Sequence, residues 1–513
     1  MPAPATLPID APARAIVPLW GAVLLALGAG PVMDAGFPDG DWWPLTFVGT
    51  AMVLVTLVGR SAWGSLLVGL LAGLAFYLTH IEWASLFLGP VPMTALSVLE
   101  SLFFSVGALA ITLAYRWVPT AWPSALGRLG LLPVVVGGLW TGREAIASVW
   151  PYGGFAWGRV ALSQSQSPVS DLFGWLGISG VSFVMVAFVA LCVQCFRVRD
   201  VARLGRATLA VGTATLVLLA PAWPVLTDGS LRVLAVQGNS KAGYFDDREY
   251  GDLLRAQLDA TEPFVGQDVD VVVWPEGSSD VNPLVNNEGA RAFDDVSRVF
   301  DAPLVSGVIT EREGNLYNSS ILWRAGEGAV DIYDKRHPIP FGEYVPDRAF
   351  WRPFAPDLID LIGREYVPGT TDAVVDLGGV IAGLNICFDI VDDQLMTESV
   401  TQGAQVIFAQ SNNADFGRTD ESVQQLAIGR VRAVELGRSV VVISTVGTSA
   451  IIRPDGSTLD QLEWYTADAM LADVPLSSAV TPAVAVGRQI EWLVSGLGLG
   501  ALVIAGVFSR RRR

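Results

Sequence analysis

Lysine is almost missing from this chain. Of 33 basic residues among 513, only Lys241 and Lys335 are lysine, and the other 31 are arginine. Histidine is as rare, at His80 and His337 alone, and the only cysteines are Cys192, Cys195 and Cys387. Three cysteines do not make a disulfide framework. Cys192 and Cys195 form a CxxC, but they close the apolar run "VSFVMVAFVALCVQCF" with no further Cys or His nearby. They read as small lipid-facing residues rather than a zinc or redox pair. Charge is scarce too. Only 16% of residues are charged against 51% hydrophobic, and the mean hydropathy is +0.46, which excludes an ordinary soluble protein. GxSxG, HExxH and P-loop patterns are absent, and no metal or organic cofactor is indicated.

What the chain has in quantity is apolar length. Runs near 15–33, 43–59, 61–79, 92–114, 128–149, 173–196 and 205–226, then 489–508, approach the length needed to cross a bilayer. The first has only Arg14 ahead of it and is followed by more runs, so it reads as a helix and not a signal peptide. One set of alternating loops holds Arg60, Arg116, Arg128, Arg197, Arg199, Arg203, Arg206 and the terminal Arg510 to Arg513. The opposite short loops hold only Arg143 and Arg159. The arginine-bearing set is expected to face the cytoplasm. Seven crossings then leave residues 227–488 outside, and the eighth returns the tail inside. The expected divisions are a seven-helix region at 1–227, an α/β catalytic domain at 228–480, and a helix with its arginine tail at 481–513.

The middle region carries the negative charge. Residues 231–480 hold 39 acidic and 18 basic side chains, whereas the remainder holds 11 and 15. Nucleic acid is therefore excluded as a partner, since phosphate binding requires a positive surface. Three stretches here end strand-like runs in reactive side chains, where a rigid sheet presents chemistry. "DVVVWPEGSSD" leads to Glu276, "IYDKRHPIPFGEYVP" offers Lys335 and Glu343, and "GVIAGLNICFDI" leads to Cys387. Taken singly, each has a plainer reading: a solvated carboxylate, a surface charge, a small core thiol. The arginine bias makes Lys335 stand out, because a desolvated lysine can fall well below its reference pKa and arginine cannot. A thiol needs a base or a nearby cation to react. Glu276 can be the base and Lys335 the cation, or His337 can pair with Cys387 instead.

The order Glu, Lys, Cys in "WPEGS", "YDKRHPIPFGEYVP" and "GLNICFDI", with "AQVIFAQSNNADFG" following, resembles the nitrilase superfamily. That resemblance implies an αββα sandwich. With "VQGNS" opening the domain, the outer loop "FAWGRVALSQSQS", and spans on both sides, the chain is similar to the membrane-embedded apolipoprotein N-acyltransferase family. The resemblance implies a polytopic inner-membrane enzyme with its catalytic domain on the extracytoplasmic face. A membrane phospholipid would donate an acyl chain through a Cys387 thioester, and a diacylated apolipoprotein's N-terminal amine would accept it. Glu276 carries over as general base, Lys335 as stabiliser of thiolate and oxyanion, and Glu343 as the second active-site glutamate. Phe388 and Asp389 replace the family's usual Tyr-Glu, and Asp415 replaces a common Trp, so the surroundings of the nucleophile and the lipid-contacting loop are expected to differ. A membrane-tethered nitrilase-like amidase and an inert nitrilase-domain scaffold are the alternatives.

Overall fold

The computed structural model describes residues 15–511. Arg14, used in the signal-peptide reading, and Arg512 and Arg513, which entered the charge asymmetry, lie outside the described residues. Each of the eight apolar runs holds a helix: α1 (Leu19–Asp34), α2 (Pro44–Leu57), α3 (Ala62–His80), α4 (Pro90–Ala121), α5 (Leu132–Ala147), α6 (Phe173–Arg197), α7 (Arg203–Leu218) and, at the far end, the last helix, Pro482–Arg511. Among the described residues, α3, α4, α6 with the turn before it, and the last helix are long and apolar enough to cross a membrane; α1 and α2 are apolar but shorter. Hydropathy and helix limits differ at several ends. The run expected to 226 stops being helical at Leu218, because Pro221 and Pro224 follow and proline cannot continue a helix. Close packing in this half relies on small residues. A Cβ on Gly138 of α5 would come 2.2 Å from the carbonyl oxygen of Val494 in the last helix.

Between α7 and the last helix lie two six-stranded sheets. The first contains β1 (Ser230–Gln237), β2 (Val271–Val273), β3 (Leu304–Arg312), β4 (Asn315–Arg324) and β5 (Gly328–Asp334), with β12 (Asp468–Pro475) beside β1. The second runs β11-β10-β9-β8-β7-β6, from Thr458–Gln461 through Ala450–Ile452, Ser439–Ser444, Val406–Ser411 and Ile381–Ile386 to Val374–Asp376. Three helices cover the outer faces: α8 (Asp252–Thr261), α9 (Asn287–Phe300) and, on the side of the second sheet, α11 (Asp420–Leu436); α10 (Asp393–Thr401) precedes β8, and the last helix becomes α12.

Period-2 alternation sorts the layers. Val233 and Ala235 of β1 pack between the sheets with Phe408 and Val441, whereas Leu234 and Val236 face α8 and α9. On the second sheet, Ile407 and Val440 face the other way, into one apolar core that runs through α11 to Phe173 and the helical bundle. The domain and the bundle are therefore packed together. The sandwich of two sheets agrees with the αββα expectation.

Candidate active site

β2 of the first sheet and the parallel neighbours β7 and β8 of the second end at one edge of the sandwich, and Glu276, Cys387 and Asn412 follow their carboxyl ends. Lys335 follows the last residue of β5. The two sheets are tied at this edge by Gln410, whose Nε2 donates to the Trp274 carbonyl (2.6 Å) and whose Oε1 accepts from Ser320 Oγ (2.6 Å). Gly307 on β3 lets the Glu276 turn lie close, since a Cβ there would come 2.5 Å from the Glu276 Cα.

Glu276 is held from both sheets. Asn318 Nδ2 donates to its Oε1 at 2.7 Å and the Asn412 backbone N–H to its Oε2 at 2.8 Å. Asn318 Nδ2 also reaches Glu343 Oε1 at 2.8 Å, and the Ile339 N–H donates to Glu343 Oε2 at 2.7 Å. Lys335, only 1% exposed, places Nζ 2.8 Å from Glu343 and 3.7 Å from Glu276. Burial raises the pKa of Glu276; Lys335 opposes this in part and Glu343 adds to it. Burial alone would lower the pKa of Lys335, but Glu343 and Glu276 outweigh it and hold the ammonium above its ordinary value. The lowered lysine pKa expected from desolvation is therefore corrected: two carboxylates fix Lys335 as a permanent cation.

Cys387 stands at φ +51°, a left-handed backbone that non-glycine residues seldom adopt. Asp389 braces this turn. It is fully buried and accepts from Tyr333 Oη (2.7 Å), the His337 N–H (3.2 Å) and the Ile386 N–H (3.3 Å). The Cys387 thiol is pushed well up by burial first and by Glu276 next, with Lys335 pulling it back only in part. It rests as a neutral thiol and needs a base during attack. The ring nitrogens of His337 point at Asp389 and Asp392, each 3.6 Å away, rather than pairing with the sulfur. Phe388 lies parallel to Trp157 (3°) and Phe155 (11°) of the outer loop at about 6 Å. Asp415 accepts from the Tyr244 N–H at 2.7 Å.

These groups open into a cavity of about 1280 Å³, larger than the ~300–1,000 Å³ usual for small-molecule pockets. Its apolar walls come from the domain (Ile339, Phe341, Phe354) and from the bundle (Val91, Leu96, Leu99). The bundle is docked by polar contacts as well. Trp83 and Trp157 both donate to Gln424 Oε1 (3.1 and 2.7 Å), and Arg159 pairs with Asp393 (2.6 Å). The structure thus brings Glu276, Lys335, Glu343, Cys387, Phe388 and Asp415 around one cavity, with Asp389 buried behind the Cys387 turn. Sequence reasoning missed Asn318, Asn413, Gln425 and Glu421. Asn-Ser-Ser inside the strand "NLYNSSILW" was the one available signal, for Asn318.

Fold and site define a nitrilase-like domain packed on apolar membrane-length helices. The carbon-nitrogen hydrolase family model matches residues 233–481, and that of the apolipoprotein N-acyltransferase N-terminal domain matches residues 29–191. An apolipoprotein N-acyltransferase of Mycolicibacterium smegmatis is 31% identical over 94% of this chain and 84% of its own. One from Pseudomonas paraeruginosa is 28% identical over 97% of each. A crystal structure of an amidase from Nesterenkonia sp. is 18% identical, with a TM-score of 0.36, over 49% of this chain and 93% of that one. The chain belongs to the apolipoprotein N-acyltransferase family.

Proposed function

We propose that this protein moves an acyl chain from a membrane phospholipid to the N-terminal α-amine of a diacylglyceryl-cysteine lipoprotein, in two steps through Cys387. Glu276 takes the thiol proton as sulfur attacks the ester carbonyl. The oxyanion that forms is stabilised by the ammonium of Lys335. The lysophospholipid alkoxide leaves with the proton that Glu276 held, and the acyl chain remains as a thioester. The lipoprotein amine then attacks, the amide forms, and the sulfur leaves and recovers a proton. Glu343 keeps Lys335 in place, and Asp389 keeps the nucleophile's turn.

The observation that carries this reading is the shared cavity. The buried Glu276–Lys335–Cys387 group sits at its polar end, and its apolar walls are drawn from both halves. A soluble amide would need no such walls, whereas two lipid-anchored substrates would. Exposed apolar side chains on the helices, such as Val106 and Val503, support contact with lipid. All eight helices are assigned as crossings, with residues 228–480 outside the cytoplasmic membrane and the C-terminus inside.

Incubation with radiolabelled phospholipid alone should label the protein, neutral hydroxylamine should release the label, and Cys387→Ala should take up none. Label persisting in that variant would identify a different nucleophile. In sealed right-side-out vesicles, external protease should cut within 228–480; protection there would reverse the topology.

A further inference from the structure

The acyl-transfer reading leaves one proton without an acceptor. In the first step Glu276 takes the thiol proton and returns it to the departing alkoxide, so a single base suffices. An α-amine has a pKa near ~7.7–8.0 and reaches the site at neutral pH largely as an ammonium. It must lose one proton before its lone pair can attack the thioester, and another once the C–N bond has formed. Glu276 takes the later proton and gives it to the Cys387 sulfur as the C–S bond breaks. Only about a tenth of the amine is free of the earlier proton at pH 7, so a second base at the site would speed its removal.

Glu421, in the first turn of α11, is 2% exposed and lines the same cavity as Cys387. Its Oε2 accepts from Asn413 Nδ2 at 2.6 Å; its other oxygen takes no hydrogen bond among the described residues, and the group forms no ion pair there. Asn413 Nδ2 also donates to Gln425 Oε1 at 2.9 Å, and Gln425 Nε2 donates to Cys387 Sγ at 3.7 Å. Two amides therefore link this carboxyl to the nucleophile. The orientation of Asn413 is fixed, since its Oδ1 accepts from Ser444 Oγ. Charged groups lining this cavity are Glu276, Lys335 and Glu343 around Cys387, Asp415 on the neighbouring loop, Arg248, Asp280 and Arg364 of the domain, and Glu100 of α4 across the cavity. His80 of α3 meets α11 one turn further on, at Gln424. None of these holds Glu421 as a paired anion.

We propose that Glu421 is the second base, taking one proton from the acceptor's α-ammonium before the amine attacks the Cys387 thioester and passing it to solvent afterwards. This rests on the acyl-transfer reading above. Burial lifts its pKa to about 8, with Asn413 opposing and Glu276 adding. About a tenth of Glu421 is ionised at pH 7, and this fraction grows towards pH 8; the ionised form and the ammonium exchange a proton with little free-energy cost.

The test uses the full-length protein in detergent, acylated from labelled phospholipid and then chased with a diacylglyceryl-cysteine peptide. Glu421→Gln keeps an oxygen for Asn413 and should acylate normally. Its chase should slow by up to about 10-fold at pH 7, the inverse of the free-amine fraction there, and the deficit should shrink towards pH ~9, where the amine is already free. Discharge by hydroxylamine, uncharged at pH 7, should match the parent protein. An equal chase at pH 7, an equal loss in acylation, or a deficit that persists at alkaline pH each overturns the proposal. Should the Gln variant not fold, Glu421→Asp decides: slowing with peptide but not with hydroxylamine supports it, and slowing with both overturns it. A parent protein that never acylates would instead remove the acyl-transfer reading.

Discussion

Two largely buried clusters of charge sit on either side of the Cys387 turn, and they are built differently. Arg159, Asp393, Arg432 and Glu435 form a balanced set of two cations and two anions. Arg432 reaches Asp393 at 2.7 Å and also pairs with Glu435. Backbone takes up further polar groups: Arg432 Nε donates to the Ile390 carbonyl (2.8 Å), Arg159 Nη2 to that of Val391 (3.4 Å), and the Ile178 N–H donates to Glu435 (3.1 Å). Glu276, Lys335 and Glu343 form the other set, with one cation between two carboxylates and a thiol alongside. The first cluster spends its valences on protein and locks α6, the outer loop and α11 around the turn. The second keeps an excess of negative groups around a single compact ammonium, facing a cavity. Planar guanidinium forks suit the first task, and a point charge able to meet a newly formed oxyanion suits the second.

The comparison breaks most visibly if the arginine cluster is cut. Arg432→Met would leave Glu435 buried with only a backbone partner and loosen the hold on Ile390. A cost of about 3–5 kcal/mol is expected, as for breaking a buried ion pair, read as a fall in unfolding midpoint in detergent. A shift worth under ~1 kcal/mol would mean that the network is not needed for docking.

Lys335→Arg sharpens the contrast next. If bulk charge were enough, activity would survive. A loss of about 10²-fold or more in acyl transfer is expected, comparable to removing an oxyanion-hole donor, with folding unchanged. The bulkier fork would move the charge away from the oxyanion and tie Glu276 in a bidentate pair, so that it could not take the thiol proton. Lys241→Arg, at the only other lysine, is the control and should be near neutral. Near-normal rates for Lys335→Arg would remove the distinction between the clusters.

The two clusters also differ in how far the sequence exposed them. Glu276, Lys335 and Cys387 each end a strand-like run, and a strand end announces itself through local pattern. The positions of the helices were legible for a similar reason, since apolar length is a local property. Arg159 and Asp393 are 234 residues apart, and Arg159 reads as an ordinary loop charge. Gln424, Gln425 and Glu421 lie on a helix whose polar residues look like a solvated face until the bundle covers it. Asp389 looked like a shortened family glutamate and turned out to brace the turn that sets Cys387 at positive φ.

His337 faces Asp389 and Asp392 beside the Cys387 turn, and its effect should be the smallest. The Asp389 carboxylate, 3.6 Å from the ring, outweighs burial and, helped by Asp392, raises its pKa above the ordinary value. A raised folded pKa means the protonated ring stabilises the fold fully below the unfolded value of ~6.5, and that this contribution fades as pH rises through the folded pKa. His337→Gln should therefore lower the unfolding midpoint relative to the parent protein at about pH 6 and match it more closely at alkaline pH. Because the side chain is 40% exposed, solvent screening keeps the difference below about 1 kcal/mol. The ring faces two aspartates and not the sulfur, so acylation of Cys387 in this variant should proceed at close to the parent rate. A large loss of acylation across the pH range, with the fold intact, would make His337 the base that activates the thiol and would displace Glu276 from that role.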